Sequence, residues 1–345
     1  MNEQSILSLV KNHLVDPSVI ADDAYVDPDT KTVYTTDLLV EGQHFDRQYF
    51  QPEDIGWKAA AVNISDVTAM GGKPQYILVS LGLPKDIGPT WIKKFYNGLS
   101  AACQKIGVQI IGGDTVRAPQ VIVNVAATGL IPTGHTVGRR NLAEPGDWII
   151  ATGHHGLSAV GLNTLRNKVD GYNSCKEAHL RPTPRVKAGA RLSKIFSRLC
   201  MMDSSDGLAD ALLKMADASS VRMEVVAPYV PVHWEVEKYA TENNVDPLDL
   251  VFYGGEDFEL VATVSTVAGL PKGMFTVIGR VKEKVGQAGS AILVDQAREK
   301  IASLSLDKTF QHFQPTPSKE TETSWISLGA ENIGTETPQQ TGYDT

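Results

Sequence analysis

Hydrophobic and polar residues recur along the chain in two periods, which predict strands and helices in mixed order. Runs of β-branched and aliphatic residues predict strands at 32–40, 76–83, 108–111, 121–130, 148–152, 222–226 and 258–264. Helical periods predict one helix that begins at Pro52 and stops at Gly71, and others at 90–106, 157–168, 184–199, 207–219 and 233–243. The sequence shows no internal repeat, so we expect an α/β or α+β protein.

The organisation of the chain follows from its length and from one turn signal. At roughly 100 to 200 residues per domain, its 345 residues correspond to about two domains. The segment Glu144-Pro145-Gly146-Asp147 is typical of a turn, and we expect the domains to be residues 1–145 and 146–313. Residues 314–345 are rich in Thr, Ser, Gln, Pro and Glu, which predicts a polar, disordered tail.

Composition and charge exclude several classes of protein. The net charge of −8 provides no positive field for nucleic acid or an anionic membrane, so we expect neither as a partner. The longest apolar run, 121–131, is too short to span a bilayer. Cys103, Cys175 and Cys200 form no close pair in the sequence, which favours a reducing, cytoplasmic location over a disulfide framework.

Aspartates beside Gly, Ser or Thr recur along the chain, mostly at predicted strand ends or helix starts. Carboxylates with neighbouring hydroxyls are the oxygen ligands that Mg²⁺ takes, together with water and substrate phosphates. Each segment alone also fits ordinary turn and N-cap chemistry, and that alternative stays open. The segments are Asp22-Asp23, Thr35-Thr36-Asp37, Asn63-Ile64-Ser65-Asp66, Gly112-Gly113-Asp114, Asp203-Ser204-Ser205-Asp206-Gly207 and Gly254-Gly255-Glu256-Asp257.

Three of these aspartates carry a more specific expectation. Asp114 follows a predicted strand and two glycines, a strand-end position that ligand sites in α/β proteins favour. Asp66 lies within a predicted helix, where a buried carboxylate requires a partner or a metal ion. Asp206 precedes a predicted helix, and it can cap that helix while the helix N-terminus holds phosphate oxygens.

Several nucleotide and catalytic motifs are missing from the sequence. It contains no GxxxxGK[ST] loop and no HRD with DFG, which excludes Walker-type NTPases and protein kinases, and no GxGxxG follows a strand. It also has no HExxH, no GxSxG and no Cys/His spacing suited to zinc. His154-His155 and Arg139-Arg140 fit solvated turns, although a nearby nucleotide would make the arginines a phosphate clamp.

Taken in order, these segments resemble the thiamine-monophosphate kinase family, in the superfamily that includes aminoimidazole ribonucleotide synthetase. The resemblance covers about residues 21–313, with departures at Ala21, where Gly is usual, and at Ser204, where Leu is usual. It implies a two-domain fold like that of aminoimidazole ribonucleotide synthetase, with an N-terminal mixed-sheet dimerisation domain and a C-terminal α+β domain. The matching stretches are 22–24, 35–45, 58–72, 111–115, 145–148, 179–182, 203–208 and 254–260.

The resemblance also implies an activity and a set of site residues. The activity is transfer of the γ-phosphate of ATP to thiamine monophosphate with several Mg²⁺ ions, in a homodimer, for thiamine diphosphate biosynthesis. No catalytic side chain is then required, because the acceptor phosphate is itself the nucleophile. The implied metal ligands are Asp23, Thr35, Thr36, Asp37, Asp66, Asp114, Asp203 and Asp206. The implied ATP contacts are Tyr96, Gly113, Asp114, Arg140 and Ser205, and the implied thiamine contacts are His44, Glu256 and Phe310.

Two alternative functions stay open on the sequence. One is an ATP-dependent ligase or cyclase like aminoimidazole ribonucleotide synthetase. The match at His44 and in the segment 63–72 favours the kinase over this alternative. The other is a non-catalytic module that binds Mg²⁺ and nucleotide. Selenophosphate synthetase and the hydrogenase-maturation relative require a cysteine near one terminus, whereas the cysteines here begin at Cys103 and end at Cys200.

Overall fold

The computed structural model describes residues 3–14 and 17–309, so Phe310 and the predicted tail lie outside the described residues. None of the helices in these ranges is long and apolar enough to cross a membrane. The helices are α1 (Glu3–Val10), α2 (Pro52–Ala69), α3 (Pro89–Ile106), α4 (Leu157–Arg166), α5 (Asn173–Leu180), α6 (Val186–Ile195), α7 (Leu208–Ser219), α8 (Trp234–Asn243) and α9 (Pro247–Tyr253). The strands are β1 (Tyr25–Val26), β2 (Thr32–Val40), β3 (Lys73–Leu83), β4 (Gln109–Arg117), β5 (Ile122–Leu130), β6 (Trp148–Ala151), β7 (Cys200–Asp203), β8 (Arg222–Val226), β9 (Leu260–Val264), β10 (Thr276–Lys282), β11 (Ser290–Val294) and β12 (Lys300–Ser303).

The first sheet takes its strands from the N-terminal part of the chain, in the order β1-β2-β5-β3-β4. Neighbouring strands are antiparallel except β3 and β4, which are parallel and are connected through α3. Alternate residues of β5 are buried, so one face of this sheet packs on a core while the other does not. α2 packs on β2, β3 and β5, and α3 packs on α2 and β4.

Two glycines allow α2 and α3 to approach each other closely. A Cβ atom at Gly98 would lie 1.8 Å from the Glu53 carbonyl oxygen. A Cβ atom at Gly56 would lie 2.0 Å from the Phe95 carbonyl oxygen. Both distances are far inside van der Waals contact, so the packing of the two helices requires glycine at these positions.

The opposite face of the first sheet, which we call the outer face, is exposed and carries large apolar side chains. Soluble proteins rarely leave a contiguous apolar patch exposed unless it binds something. The side chains of this patch are Tyr34, Leu38, Tyr76, Leu78 and Val116, with exposed fractions from 40% to 58%.

The second sheet takes its strands from the remainder of the chain, in the order β12-β11-β8-β10-β6-β9-β7. The pair β8 and β11 is parallel and the other neighbouring pairs are antiparallel. α7 packs on one side of this sheet and buries Leu212 and Met215. α2 also contacts β7, α5 and α6, so this helix lies between the two sheets.

The predicted mixed α/β class is confirmed, and each predicted strand and helix has a counterpart. The tetrapeptide 144–147 forms a turn between β5 and β6, in which Asp147 N donates to Glu144 O over 3.0 Å. Division of the chain into domains at this turn stays a prediction. The sequence analysis missed α5, α9, β1, β7 and β10 to β12, which are short or lack a clear period.

Two predicted boundaries were wrong. The helix predicted at 184–199 is α6, which ends at Ile195. The strand predicted to end at Ile111 continues as β4 to Arg117, so Asp114 lies within a strand rather than after one. The glycine pair suggested an end, but Gly113 allows the strand to continue beside β3, because a Cβ there would lie 1.7 Å from the Val79 carbonyl oxygen.

Candidate active site

Carboxylates from both parts of the chain meet where α2 passes between the two sheets. Asp37 lies on β2, Asp66 on α2 and Asp203 at the end of β7. Thr35 lies on the helix-facing side of β2, and its Oγ1 donates a 2.6 Å hydrogen bond to Asp66 Oδ2. The Ser65 hydroxyl donates to the Asp203 carboxylate, which joins α2 to the second sheet.

The charges of these carboxylates act on one another. We call the group the carboxylate cluster and define it as Asp23, Asp37, Asp66, Asp203 and Asp206. Burial, and then the charges of Asp206 and Asp23, raise the pKa of Asp37 from 3.8 to about 6. Burial, and then the charge of Asp23, raise the pKa of Asp203 from 3.8 to about 8. Burial and the charge of Asp37 raise the pKa of Asp66 well above 3.8. Near neutral pH the cluster therefore retains protons, or holds cations in their place.

Asn63 fixes β2 against α2 next to the carboxylate cluster. Its Oδ1 accepts a 3.0 Å hydrogen bond from Asp37 N, and its Nδ2 donates over 3.0 Å to Ala59 O, one turn earlier on α2. Asn63 is almost fully buried, so both of its polar groups need these partners. The Asn63-Ile64-Ser65-Asp66 segment thus supplies one side chain to the cluster and two that hold it in place.

Basic side chains border the carboxylate cluster on one side. Arg140 contacts Asp23, Arg139 Nη1 lies 2.7 Å from Asp22 Oδ2, and the backbone N–H of Arg140 donates to Asp22 Oδ1 over 2.8 Å. Lys214 Nζ lies 3.3 Å from an Asp206 carboxylate oxygen. The arginine pair is therefore ion-paired with Asp22-Asp23 rather than simply solvated.

The carboxylate cluster fits hard divalent cations. Asp23 Oδ2 is buried and has no hydrogen-bond partner among the described residues, although carboxylate oxygens are strong acceptors. Within residues 3–14 and 17–309, no three His, Cys, Asp or Glu side chains already converge as a complete metal site. Mg²⁺ is commonly held by one or two carboxylates together with water and substrate phosphates. The donor set therefore matches Mg²⁺ that binds along with a phosphate ligand.

Two predicted metal ligands lie on the other face of the first sheet. The Asn124 side chain donates to Thr36 Oγ1 over 2.9 Å, which places both on the outer face. Asp114 pairs with Ser80, which pairs with Asn124, so Asp114 shares that face and is exposed. Within one chain, Thr36 and Asp114 are therefore separated by the sheet from the carboxylate cluster.

The predicted ATP contacts lie in three places. Arg140 borders the carboxylate cluster, and Ser205 lies in the loop between Asp203 and Asp206. Gly113 lies in β4 against β3. Tyr96 lies on α3, where its ring packs edge-on against Phe95 with centroids 5.4 Å apart.

A second polar group, which we call the Lys58 group, lies beside the first half of α2. Lys58 Nζ is 2.7 Å from Glu256 Oε1 and donates over 2.8 Å to His44 O. His179 Nδ1 lies 3.4 Å from Glu256 Oε2. The predicted thiamine contacts His44 and Glu256 are thus brought together by Lys58. Glu256 N donates to Ser205 O over 2.6 Å, which connects this group to the loop of the carboxylate cluster.

Comparison with known proteins assigns most of the chain to one family. Family models of AIR synthase related proteins match residues 20–131 with the N-terminal domain and residues 144–289 with the C-terminal domain. Thiamine-monophosphate kinase from Bacillus subtilis is 41% identical over 68% of this chain and 72% of its own. The enzyme of the same name from Synechococcus elongatus is 35% identical over 81% of this chain and 86% of its own. The chain belongs to the thiamine-monophosphate kinase family.

The fold of the chain is also similar to that of a solved structure. The solved structure of AaThiL complexed with AMPPCP and TMP has a TM-score of 0.80 and 31% identity, and the match covers 90% of this chain and 97% of that chain. The family resemblance drawn from the sequence is therefore confirmed, together with the two-part fold that it implied.

Several residues of this family member's site were missed by sequence reasoning. Lys58 gave a usable signal, because a lysine within the apolar helical stretch 55–62 must find a buried partner. Ser65 and Asn63 lie in a segment that the sequence singled out, but it gave no sign of their roles, since hydrogen bonds from a helix to a distant strand depend on tertiary packing. His179 lies on α5, a helix that was not predicted.

Proposed function

We propose that the chain is a kinase that transfers the γ-phosphate of ATP to thiamine monophosphate and so forms thiamine diphosphate. The observation that carries this proposal is the carboxylate cluster, in which burial and like charges raise the pKa values of Asp37 and Asp203. Such a site suits two phosphate-bearing substrates when divalent cations neutralise carboxylates and phosphates together. The similarity to AaThiL complexed with AMPPCP and TMP supports the choice of donor and acceptor.

Several Mg²⁺ ions are part of the proposal. Bound Mg²⁺ supplies positive charge that neutralises the phosphate oxygens during transfer. Residues on the helix-facing side of the first sheet and in the adjoining loops would hold these ions in one subunit, while Thr36 and Asp114 would act from the outer face. The proposed inner ligands are Asp23, Thr35, Asp37, Asp66, Asp203 and Asp206.

The side chains of the protein position the substrates and supply no general base. The acceptor phosphate is anionic at neutral pH and serves as the nucleophile in a direct in-line transfer. Arg140, next to Asp23, provides a guanidinium suited to a phosphate oxygen. The other proposed ATP contacts are Tyr96, Gly113, Asp114 and Ser205, and the proposed thiamine contacts are His44, Glu256 and Phe310.

A homodimer formed through the outer face is also proposed. Leu38, Leu78 and Val116 are 51%, 44% and 58% exposed on this face, and burial of such side chains favours association. A second copy on this face would approach Thr36 and Asp114, which one chain alone leaves apart from the carboxylate cluster. The dimer thus accounts for the position of two implied metal ligands.

The division into domains and the location in the cell are also part of the proposal. The chain divides near residue 145, because the first sheet ends with β5 and the second begins with β6. A cytoplasmic location is supported by Cys103, Cys175 and Cys200, which are all buried and free of disulfides.

The deciding experiment measures product formation. The purified chain is incubated with ATP and thiamine monophosphate, with and without Mg²⁺, and the products are separated by chromatography. We expect thiamine diphosphate and ADP only with Mg²⁺, and a severe loss in Asp37→Asn, Asp66→Asn and Asp114→Asn. Binding of ATP without thiamine diphosphate formation would overturn the kinase and favour the ligase or the non-catalytic module. Normal turnover in all three folded variants would reject the metal site.

A further inference from the structure

Lys58 is a lysine with no exposed side-chain surface. Its ammonium group lies 2.7 Å from Glu256 Oε1, 2.8 Å from His44 O and 5.3 Å from the centroid of the Phe50 ring. Transfer of an unpaired ammonium into a protein interior is strongly unfavourable. The buried position of Lys58 therefore requires Glu256 to be a carboxylate.

Glu256 itself is only partly buried, and its side chain retains 29% exposure. Burial opposes ionisation of this carboxyl group, but its polar neighbours, with the charge of Lys58 first among them, lower the pKa of Glu256. His179, the other neighbour of Glu256, is held neutral because burial lowers its pKa to about 3. Lys58 is thus the principal charge that keeps Glu256 ionised.

The backbone at Glu256 is also held in an unusual conformation. Its φ angle is 65°, a left-handed value that residues with a side chain adopt rarely. The hydrogen bonds from Glu256 N to Ser205 O and from Phe258 N to Ser204 O maintain this turn. Strained backbone of this kind is common at ligand sites, where the surrounding structure fixes the direction of a side chain.

We propose that Lys58 is a positioning residue that holds Glu256 as a permanent hydrogen-bond acceptor and so makes the enzyme select an amino-substituted pyrimidine over its oxo analogue. The inference rests on the proposed function, in which Glu256 contacts thiamine monophosphate. An ionised carboxylate can only accept hydrogen bonds, and an exocyclic amino group donates them. An oxo group in the same place would set two acceptors against each other, which leaves both unsatisfied.

The test compares thiamine monophosphate with oxythiamine monophosphate, in which an oxo group replaces the amino group. We expect wild-type kcat/KM to favour the amino compound by about 100-fold or more. In Glu256→Gln the ratio falls to about tenfold or less, because an amide can donate to the oxo group. In Lys58→Met the ratio falls in the same way, because Glu256 takes up a proton once its buried partner is lost.

A purely structural role for Lys58 predicts a different result. Lys58→Met would then lower kcat/KM for both compounds alike and leave the ratio unchanged, which would overturn the proposal. Lys105→Met is the matched control, because Lys105 is an exposed lysine whose ammonium lies over the Trp57 ring, 5.2 Å from its centroid. We expect the wild-type ratio in this variant.

A double variant keeps the test valid if a single variant fails to fold. Lys58→Met with Glu256→Gln removes both charges, so no unpaired charge is buried. If Lys58 acts only through Glu256, the double variant should show the same kcat/KM ratio of amino to oxo compound as Glu256→Gln alone. A ratio in the double variant that differs from that of Glu256→Gln would reject the inference. Equilibrium dialysis of the two compounds measures the same ratio without turnover. Absence of thiamine diphosphate formation together with an intact binding ratio would therefore reject the proposed function and retain the inference.

Discussion

Ser65 on α2 donates a hydrogen bond to Asp203 at the end of β7, and this contact joins the two parts of the chain inside the carboxylate cluster. α2 packs on both sheets, so the helix that buries the apolar core of the first sheet also delivers Asp66 and Ser65 to the second. The cluster therefore forms only when both sheets are docked on this helix. Formation of the cluster and docking of the two parts therefore depend on the same residues.

Removal of one charge from the carboxylate cluster should lower the activity but raise the stability of the protein. In Asp203→Asn the side-chain oxygen can still accept from Ser65, but one negative charge is lost from a group whose members repel one another. We expect kcat/KM to fall by at least about 100-fold, while the melting temperature of the metal-free protein at about pH 8 rises. Asp217→Asn, at an exposed position of α7, should change neither quantity. An Asp203→Asn enzyme with full activity would contradict the role of the cluster.

The stability of the metal-free protein should fall as the pH rises from about 5 to about 8.5. The pKa values of Asp37 and Asp203 are raised from 3.8 to about 6 and about 8, so the folded state keeps protons that the unfolded state has already released. Raising the pH through these values removes those protons and destabilises the fold. If Mg²⁺ binds the ionised carboxylates as proposed, it should reduce this dependence of stability on pH. Denaturant unfolding across this pH range, with EDTA and with Mg²⁺, measures the free energy of unfolding as a function of pH. The same dependence on pH in both conditions would refute the prediction.

Gly98→Ala should destabilise the fold by about 2 kcal/mol or more. The added methyl group would lie 1.8 Å from the Glu53 carbonyl oxygen, so α2 and α3 would have to separate. Gly88→Ala is the control, because no atom lies within 4 Å of a Cβ there and its φ angle is −101°. Unfolding by urea compares the two, and equal stabilities would show that the helices are not in close contact.

A charge on the outer face of the first sheet should prevent dimer formation. Leu78→Glu places a carboxylate in the apolar patch, and burial of that charge against a second copy is unfavourable. We expect wild-type dimers and mutant monomers in sedimentation at micromolar concentration. Val285→Glu alters a more exposed apolar residue outside the sheet and should leave the dimer intact. Wild-type protein that sediments as a monomer would count against the dimer.

The cysteines should not react in the folded protein. Burial raises the pKa of Cys103 to about 11 and that of Cys200 to about 12, and it also raises the pKa of Cys175, so thiolate is scarce near neutral pH. A thiol reagent such as dithiobis(nitrobenzoate) should label none of them in native protein and all three in denaturant. Rapid labelling of native protein, with loss of activity, would contradict this burial.

The carboxylate segments were recognisable from the sequence because each combines an acid with small or hydroxyl neighbours. Asp23, Asp37, Asp66 and Asp203 lie together as this pattern suggested, although they are far apart in the chain. Asp114 belongs to the same pattern, yet within one chain it lies on the outer face. The side that a strand residue faces depends on register, and a one-residue irregularity beside Ile77 and Leu78 changes it without a mark in the sequence.

By itself the sequence determined the mixed class, the family and the residue types of the candidate site, because these depend on local periods and on short ordered segments. Only the tertiary structure decided which side chains meet: that Lys58 is paired with Glu256, that Ser65 reaches Asp203, and that α2 lies between the sheets. Such pairings depend on long-range packing of apolar faces, which places residues more than a hundred positions apart in contact and leaves no local pattern in the chain.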